Sequence, residues 1–193
     1  MDLKGKRIGF AMTGSFCTFE KALAQAQRLA DTGCEITPIM SETAYTTDTR
    51  FGTAAGFSQR LADTAGRSVL ASIHQTEPIG PKRLLDLLVI LPCTGNTLAK
   101  LSTGVTDTAV TMAAKAHLRN ERPLLIGVST NDGLGNAAKN IGNLLNCKNI
   151  FFIPFTQDDP IKKTRSLVAD FDRLIPAAEA ALDNIQLQPI LGC

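Results

Sequence analysis

The chain has 193 residues, enough for one domain with a sizeable core. Hydrophobic residues make up 44%, charged residues 20%, and the formal net charge is +2, with no basic run to hold nucleic acid or an anionic membrane. No stretch approaches the ~20 apolar residues of a membrane span. The run from Met1 to Arg7 lacks the length and cleavage pattern of a signal peptide, so the expected location is the cytoplasm.

Arg7 to Met12 reads as a first strand, followed by the turn Thr13-Gly14-Ser15. Ala22, Leu23, Ala26, Leu29 and Ala30 then recur on one helical face, and Gly33 supplies the stop. Glu35 to Met40 is a second short strand. Strand, tight turn, helix, strand is a βαβ unit with a right-handed crossover. Gly14 permits close backbone approach, and Ser15 puts a hydroxyl beside a helix N-terminus, whose free amides favour phosphate. A plain helix cap is the alternative for the same residues. The turn is not GxGxxG, so the dinucleotide fingerprint fails.

Ser41 to Gly56 is a long polar stretch carrying the single tyrosine, Tyr45, and loops of this length are usually functional or mobile. Ser41 follows the second strand directly, at the same sheet edge as Ser15. Phe57 to Ala65 reads as a short helix ended by Gly66, and Val69 to Ile73 as an edge strand. Pro78-Ile79-Gly80-Pro81 is a turn, and Lys82 to Asp86 a brief helical turn.

Leu87 to Leu91 is five consecutive apolar residues, a strand buried on both faces. Pro92 ends its pairing for want of an amide. Cys93-Thr94-Gly95 is a small polar turn, and Asn96 caps the helix that continues through Leu98 and Leu101. Ser102-Thr103-Gly104 separates this helix from the next, whose face of Val105, Ala109, Met112, Ala113 and Ala116 is small enough for close approach. Asp107 falls in its first turn, where a carboxylate suits the dipole.

Pro123 to Val128 is the next strand, ending in the polar turn Ser129-Thr130-Asn131-Asp132-Gly133. Leu134, Ala137, Ala138, Ile141, Leu144 and Leu145 define a helix, and Ile150 to Phe155 a last strand. Leu167, Val168, Phe171, Leu174, Ile175, Ala178, Leu182 and Ile185 suggest a C-terminal helix kinked at Pro176. This order predicts a doubly wound, mostly parallel, Rossmann-like α/β sheet with helices on both faces, in one domain over 1–193. The turns after Met12, Met40, Leu91 and Val128 then share one edge, where such sheets bind ligands, and their donors suit a phosphate and a hydrogen-bonding ring.

The cysteines, Cys17, Cys34, Cys93, Cys147 and Cys193, include no CxxC pair and suit reduced thiols. Cys17 and Cys93 fall near helix N-termini, where a thiol pKa can drop; inert buried thiols are the alternative. The histidines, His74 and His117, form no HExxH, and no metal site is expected.

Met12-Thr13-Gly14-Ser15, then PCTGNT over 92–97, LAK over 98–100 and GVTD over 104–107 together resemble the flavoprotein family of homo-oligomeric flavin-containing cysteine decarboxylases. That family's motif is Pro-Ala-Ser-Ala-Asn-Thr, followed by Ala-Lys and a Gly-Ile-Ala-Asp-like segment. The resemblance implies FMN held by Gly14, Ser15, Ser41, Pro92, Cys93, Thr94, Asn96 and Thr97, and a homo-oligomer built of trimers. Two departures matter. The family's catalytic histidine has no counterpart in Glu77 to Lys82, and His74 stands in the wrong context. A Pro-Ala-Met-Asn substrate clamp is replaced by Val128 to Asn136, so peptidyl-cysteine decarboxylation is not expected.

With the Glu77–Lys82, Asn131–Asn136 and Phe155–Pro160 segments, the likeness moves to a branch of the family that serves bacterial sporulation in the mother-cell cytoplasm. It implies an oxidoreductase subunit acting with a chain that resembles a nicotinamide-dependent dehydrogenase, with NADP on that partner. Together they would make a pyridine dicarboxylate from a dihydro or hydroxy-tetrahydro precursor. On this reading Asn96 is the catalytic candidate, and Arg50, Asn131 and Lys139 are candidates for the small dicarboxylate substrate, with solvated surface charge the alternative for the cations. Two other readings stay open: a supporting or regulatory subunit on a flavin fold, and a stand-alone FMN-dependent decarboxylase or prenyltransferase relative.

Overall fold

The computed structural model describes residues 2–192; Cys193 lies outside the described residues. Five strands run parallel: β1 (Arg7–Met12), β2 (Glu35–Met40), β3 (Leu87–Cys93), β4 (Leu124–Thr130) and β5 (Ile150–Phe152). They stand in the order β2-β1-β3-β4-β5, with β6 (Phe155–Thr156) and β7 (Leu167–Ala169) added antiparallel beyond the end of β4. The helices are α1 (Phe19–Asp31), α2 (Glu42–Thr46), α3 (Ala54–Ala65), α4 (Ile73–Thr76), α5 (Gly95–Thr103), α6 (Ala109–Leu118), α7 (Ala138–Leu145) and α8 (Leu174–Leu182).

The expected α/β architecture is present, and β3 shows why its sequence has no alternation. Leu87, Val89 and Leu91 join one apolar cluster with Leu29 of α1 and Ala177 and Ala178 of α8. Leu88 and Ile90 join the other with Ala113 and Ala114 of α6. Both faces are covered, so every residue of the strand is apolar. Among the described residues no helix is long and apolar enough to cross a membrane.

Several local expectations are corrected. Val69 to Ile73 is not a strand: only Leu70 bridges to Ile39, because Ser72 and Gln75 form a capping box that starts α4 at Ile73. The stretch after Ser41 is not wholly loop, since Ser41 caps α2 and Thr53 caps α3, which starts at Ala54, three residues ahead of Phe57. Pro92 does not end β3; the register shifts between Ile90 and Cys93, and Cys93 pairs again with Val128. Asp107 lies ahead of α6, whose cap is Thr108, and instead pairs with Lys100.

The C-terminal third departs most. Ile150 to Phe155 splits into β5 and β6 around Pro154, which has no amide to continue the ladder. Leu167 to Ala169 is strand β7, with Leu167 and Ala169 buried and Val168 between them partly exposed, a period of two and not of 3.6. Asp170 then caps a 3-10 turn over Phe171–Arg173, and α8 begins only at Leu174. Pro176 therefore stands in the first turn, where its missing amide costs nothing, and no kink is needed.

Candidate functional site

In this strand order the chain leaves β1 toward β2 on one side and returns to β3 on the other. The crevice at the carboxyl ends of β1 and β3 is where open α/β sheets take ligands. A cavity of about 480 Å³ lies there. Its walls come from five places: Gly14 to Thr18 after β1, Thr94 and Gly95 after β3, Ser129 to Asp132 at the end of β4, Arg50 and Phe51 after α2, and Asp158, Lys163 and Val168 between β6 and β7 or on β7.

Buried hydroxyls stitch these corners together. The Thr13 amide and hydroxyl both donate to the Pro92 carbonyl, at 3.2 and 2.8 Å, and the Thr94 amide donates back to Thr13 Oγ1 at 3.0 Å. Thr13 is 1% exposed, so this knot is part of the core. Ser15 Oγ meets Ser129 Oγ at 2.8 Å, and Thr18 Oγ1 donates to the Ser15 carbonyl at 2.8 Å. A Cβ on Gly95 would stand 2.8 Å from Thr130 Oγ1, so only glycine lets the start of α5 lie this close to β4.

Thr94, not Asn96, is the cap of α5. Its Oγ1 accepts from the Thr97 amide at 3.3 Å, the reach a cap needs, whereas Asn96 is already the second helical residue. Asn96 is exposed, and its amide makes no hydrogen bond among the described residues.

The expected site residues divide. Gly14, Ser15, Thr94, Arg50 and Asn131 line the cavity together. The Arg50 guanidinium lies over the Phe51 ring, 4.9 Å from its centre. Ser41, Pro92, Cys93 and Thr97 are buried behind the wall. Ser41 Oγ accepts from the Ala44 amide at 3.3 Å and its amide donates to the Met12 carbonyl, so it shapes the corner and does not line it. Asn96 is not on the cavity wall, and Lys139 is exposed on α7, away from it. Burial pushes the Cys93 thiol far up, which leaves it inert, while Cys17 is exposed on the cavity wall.

Neither histidine belongs to the site. His74 faces a separate cleft, with Nδ1 3.1 Å from Ser72 Oγ. His117 is buried, with Nε2 2.9 Å from the Pro123 carbonyl, and burial lowers its pKa to about 4. Among the described residues no three His, Cys, Asp or Glu side chains converge as a metal site.

Ser129, Thr130, Asp158 and Lys163 line the cavity as well and are polar residues outside the expected site. The first two stood in a recognised polar turn. The last two reach the cavity only because β6 and β7 fold back against β4. Lys163 Nζ and Asp158 Oδ2 pair at 2.9 Å, and Asp132 Oδ1 accepts the Asn136 amide at 3.0 Å. The cavity thus offers hydroxyls, backbone amides at a helix start and two cations, a donor set for an anion.

A flavoprotein family model matches residues 1–173. The chain is 49% identical over 189 residues to the B subunit of dipicolinate synthase from Bacillus subtilis (strain 168), a match spanning 98% of this chain and 94% of that protein. The crystal structure of the dipicolinate synthase B subunit from Bacillus halodurans C superposes with a TM-score of 0.92 at 44% identity, over 100% of this chain and 99% of that one. The FMN-dependent cysteine decarboxylase SpaF shares the fold, with a TM-score of 0.65 at 21% identity, over 94% of this chain and 98% of that one.

Proposed function

The chain belongs to the flavoprotein family, related to the FMN-dependent decarboxylases, and from that premise we propose that it serves as the B subunit of a dipicolinate synthase. It acts with a dehydrogenase-like A chain that carries NADP, in the mother-cell cytoplasm of a spore-forming bacterium, as a homo-oligomer that is a trimer or a multiple of one. The pair converts a dihydro or hydroxy-tetrahydro precursor to pyridine-2,6-dicarboxylate. The observation that carries this reading is the cavity itself. End-to-end identity with the B subunits coincides with a pocket where the turns after β1, β3 and β4 meet.

The donor set of that cavity fits FMN. Ser15 and Ser129 supply hydroxyls and the first amides of α5 supply the positive end of a helix, both suited to a phosphate, while Arg50 and Lys163 leave charge for a second anion. When bound, FMN supplies two-electron redox chemistry. The chain's own part is to hold and orient. Gly14 and Ser15 take the phosphate, with Ser41 fixing the corner from behind. Thr94 forms wall for a flat ring, with Pro92, Cys93 and Thr97 backing it from the core. Asn96 presents an uncommitted amide that donates and accepts at the helix start. Arg50 and Asn131 face the dicarboxylate.

The test is direct. Purified chain should show flavin absorbance or gain it on reconstitution with FMN, and should raise product formation by the A chain. A colourless chain that cannot be loaded, or an A chain equally active alone, overturns the reading.

One observation favours a second reading, a supporting subunit without chemistry of its own. His117 is locked neutral in the core, and His74 lies in another cleft, so no imidazole stands at the cavity to move a proton. Full turnover by the A chain with an Asn96→Ala subunit would support it.

A further inference from the structure

Lys163 and Asp158 form an ion pair on the cavity wall, 2.9 Å apart. A carboxylate inside an anion pocket needs a reason. Asp132, the other acid lining it, is engaged by the Asn136 amide in the turn after β4. Asp158 instead faces the one lysine of the wall.

The loop that carries both residues does not depend on their pairing. The Lys163 amide donates to the Asp159 carbonyl at 2.8 Å, and the Ser166 amide to the Lys163 carbonyl at 2.9 Å. The Lys162 amide donates to Asp159 Oδ1, Gln157 Nε2 to the Thr164 carbonyl, and the Leu134 amide to the Arg165 carbonyl. None of these bonds uses the Asp158 carboxylate or the Lys163 ammonium. The Lys163 and Asp158 side chains are 52% and 30% exposed, and ion pairs this open are worth little. The Lys163 ammonium can therefore leave without disturbing the loop backbone, and the Ser166 hydroxyl stays beside the Asp158 carboxylate. Arg50 is similarly placed, its guanidinium resting on the Phe51 ring and in no ion pair among the described residues.

We infer that Asp158 is a placeholder counter-ion. It holds Lys163 at the cavity until a carboxylate of the substrate or product displaces it, while Arg50 takes the second carboxylate. The inference rests on the reading of this cavity as a dicarboxylate site. It adds the exchange and the two cations that select a dianion over a monoanion. A ligand with one carboxylate leaves either Lys163 with Asp158 or Arg50 unpaired, and so gains less from the site.

The experiment is calorimetric titration of the chain with pyridine-2,6-dicarboxylate in metal-free buffer, with and without FMN, and separately with FMN alone. Lys163→Met should weaken dicarboxylate binding about tenfold or more, the scale of a charge-assisted hydrogen bond, and change FMN affinity less than about threefold. Asp158→Asn should tighten dicarboxylate binding about fivefold, because the competitor is gone. Lys163→Arg should recover most of the loss, which separates charge from a folding defect. Unchanged dicarboxylate binding in Lys163→Met, weaker binding in Asp158→Asn, or an equal loss of FMN affinity overturns the inference. A chain that takes the dicarboxylate as described but never FMN would instead refute the cofactor assignment alone.

Discussion

Ser15 Oγ lies 2.8 Å from Ser129 Oγ, although 114 residues separate them in the chain. Ser15 follows β1 and Ser129 stands near the end of β4, with β3 between these two strands. The contact thus reaches across the end of a whole strand and draws the two outer corners of the cavity together. Between two hydroxyls only one hydrogen is spent on the other, so a second donor remains for a ligand.

Ser15→Ala should therefore lower FMN affinity about tenfold while costing only about 1 kcal/mol of stability, since a hydrogen bond to a charged phosphate is worth more than one between neutral hydroxyls. Flavin fluorescence titration and thermal melting measure the two effects. Wild-type FMN affinity in this variant would take the hydroxyl out of phosphate binding.

Thr94 and Asn96 should separate stability from function. Thr94→Ala removes the cap of α5 and should cost about 1 kcal/mol in urea denaturation. Asn96→Ala alters an exposed side chain that bonds to nothing among the described residues, so its stability should stay within about 0.5 kcal/mol of wild type. Product formation with the A chain should nonetheless fall. A destabilised Asn96→Ala protein would mean that the asparagine serves the helix after all.

How far the sequence could be read follows from where each signal is local. The β1 to β4 frame was legible because its strands are buried on both faces and its turns are small and polar. Gly14, Ser15 and Thr94 were legible as corners at one sheet edge for the same reason, and they line one cavity. Asn96 was mistaken for the cap because Asn and Thr are both good cap residues, and only the Thr97 amide's actual partner decides between them. Leu167 to Ala169 reads equally as the start of an apolar helix, and nothing local says that it pairs with Thr130 and Ser129. Lys163 and Asp158 depend on that pairing, so they stayed hidden, while Lys139, close in sequence to the β4 turn, faces solvent.

Stability should fall in two separate acid windows. Burial, opposed by the bond to Pro123, lowers the His117 pKa from 6.5 to about 4. The unfolded chain then binds the extra proton first, so the contribution is full above pH 6.5 and is lost as pH falls toward 4, by about 3 kcal/mol. The hydrogen bonds from Arg7, aided by Arg122, lower the Asp86 pKa from 3.8 to about 2. Its contribution is lost only between those values. Urea denaturation from pH 7 to pH 5 reads the upper part of the His117 window, before the paired carboxylates such as Glu20, lowered from 4.5 by Arg60, begin to titrate. A His117→Gln protein should show a flatter curve there; an unaltered slope would assign the loss to another group.

Gly80→Ala tests the close approach that the small face of α6 permits. Gly80 has φ −72° and ψ −64°, ordinary helical values, so alanine meets no backbone objection. Where space allows, such a change stabilises by about 0.4–1 kcal/mol through the unfolded chain. Here a Cβ would stand 2.7 Å from the Ala116 carbonyl oxygen and 3.1 Å from the Ala116 Cβ. The oxygen belongs to a helix backbone and cannot swing aside as a side-chain end would. Asn120 Nδ2, donating to the Gly80 carbonyl at 2.7 Å, pins the turn against α6 from the other side. Overpacking of about 1–3 kcal/mol should thus outweigh the entropic gain, and Gly80→Ala should melt lower than wild type. Gly104→Ala is the contrasting case: nothing lies within 4 Å of its Cβ, and its loss should come only from φ +74°. Adding Asn120→Ala should relieve part of the Gly80→Ala penalty by letting the turn lift away, so a double mutant as unstable as the sum of the singles would mean that the turn is held elsewhere.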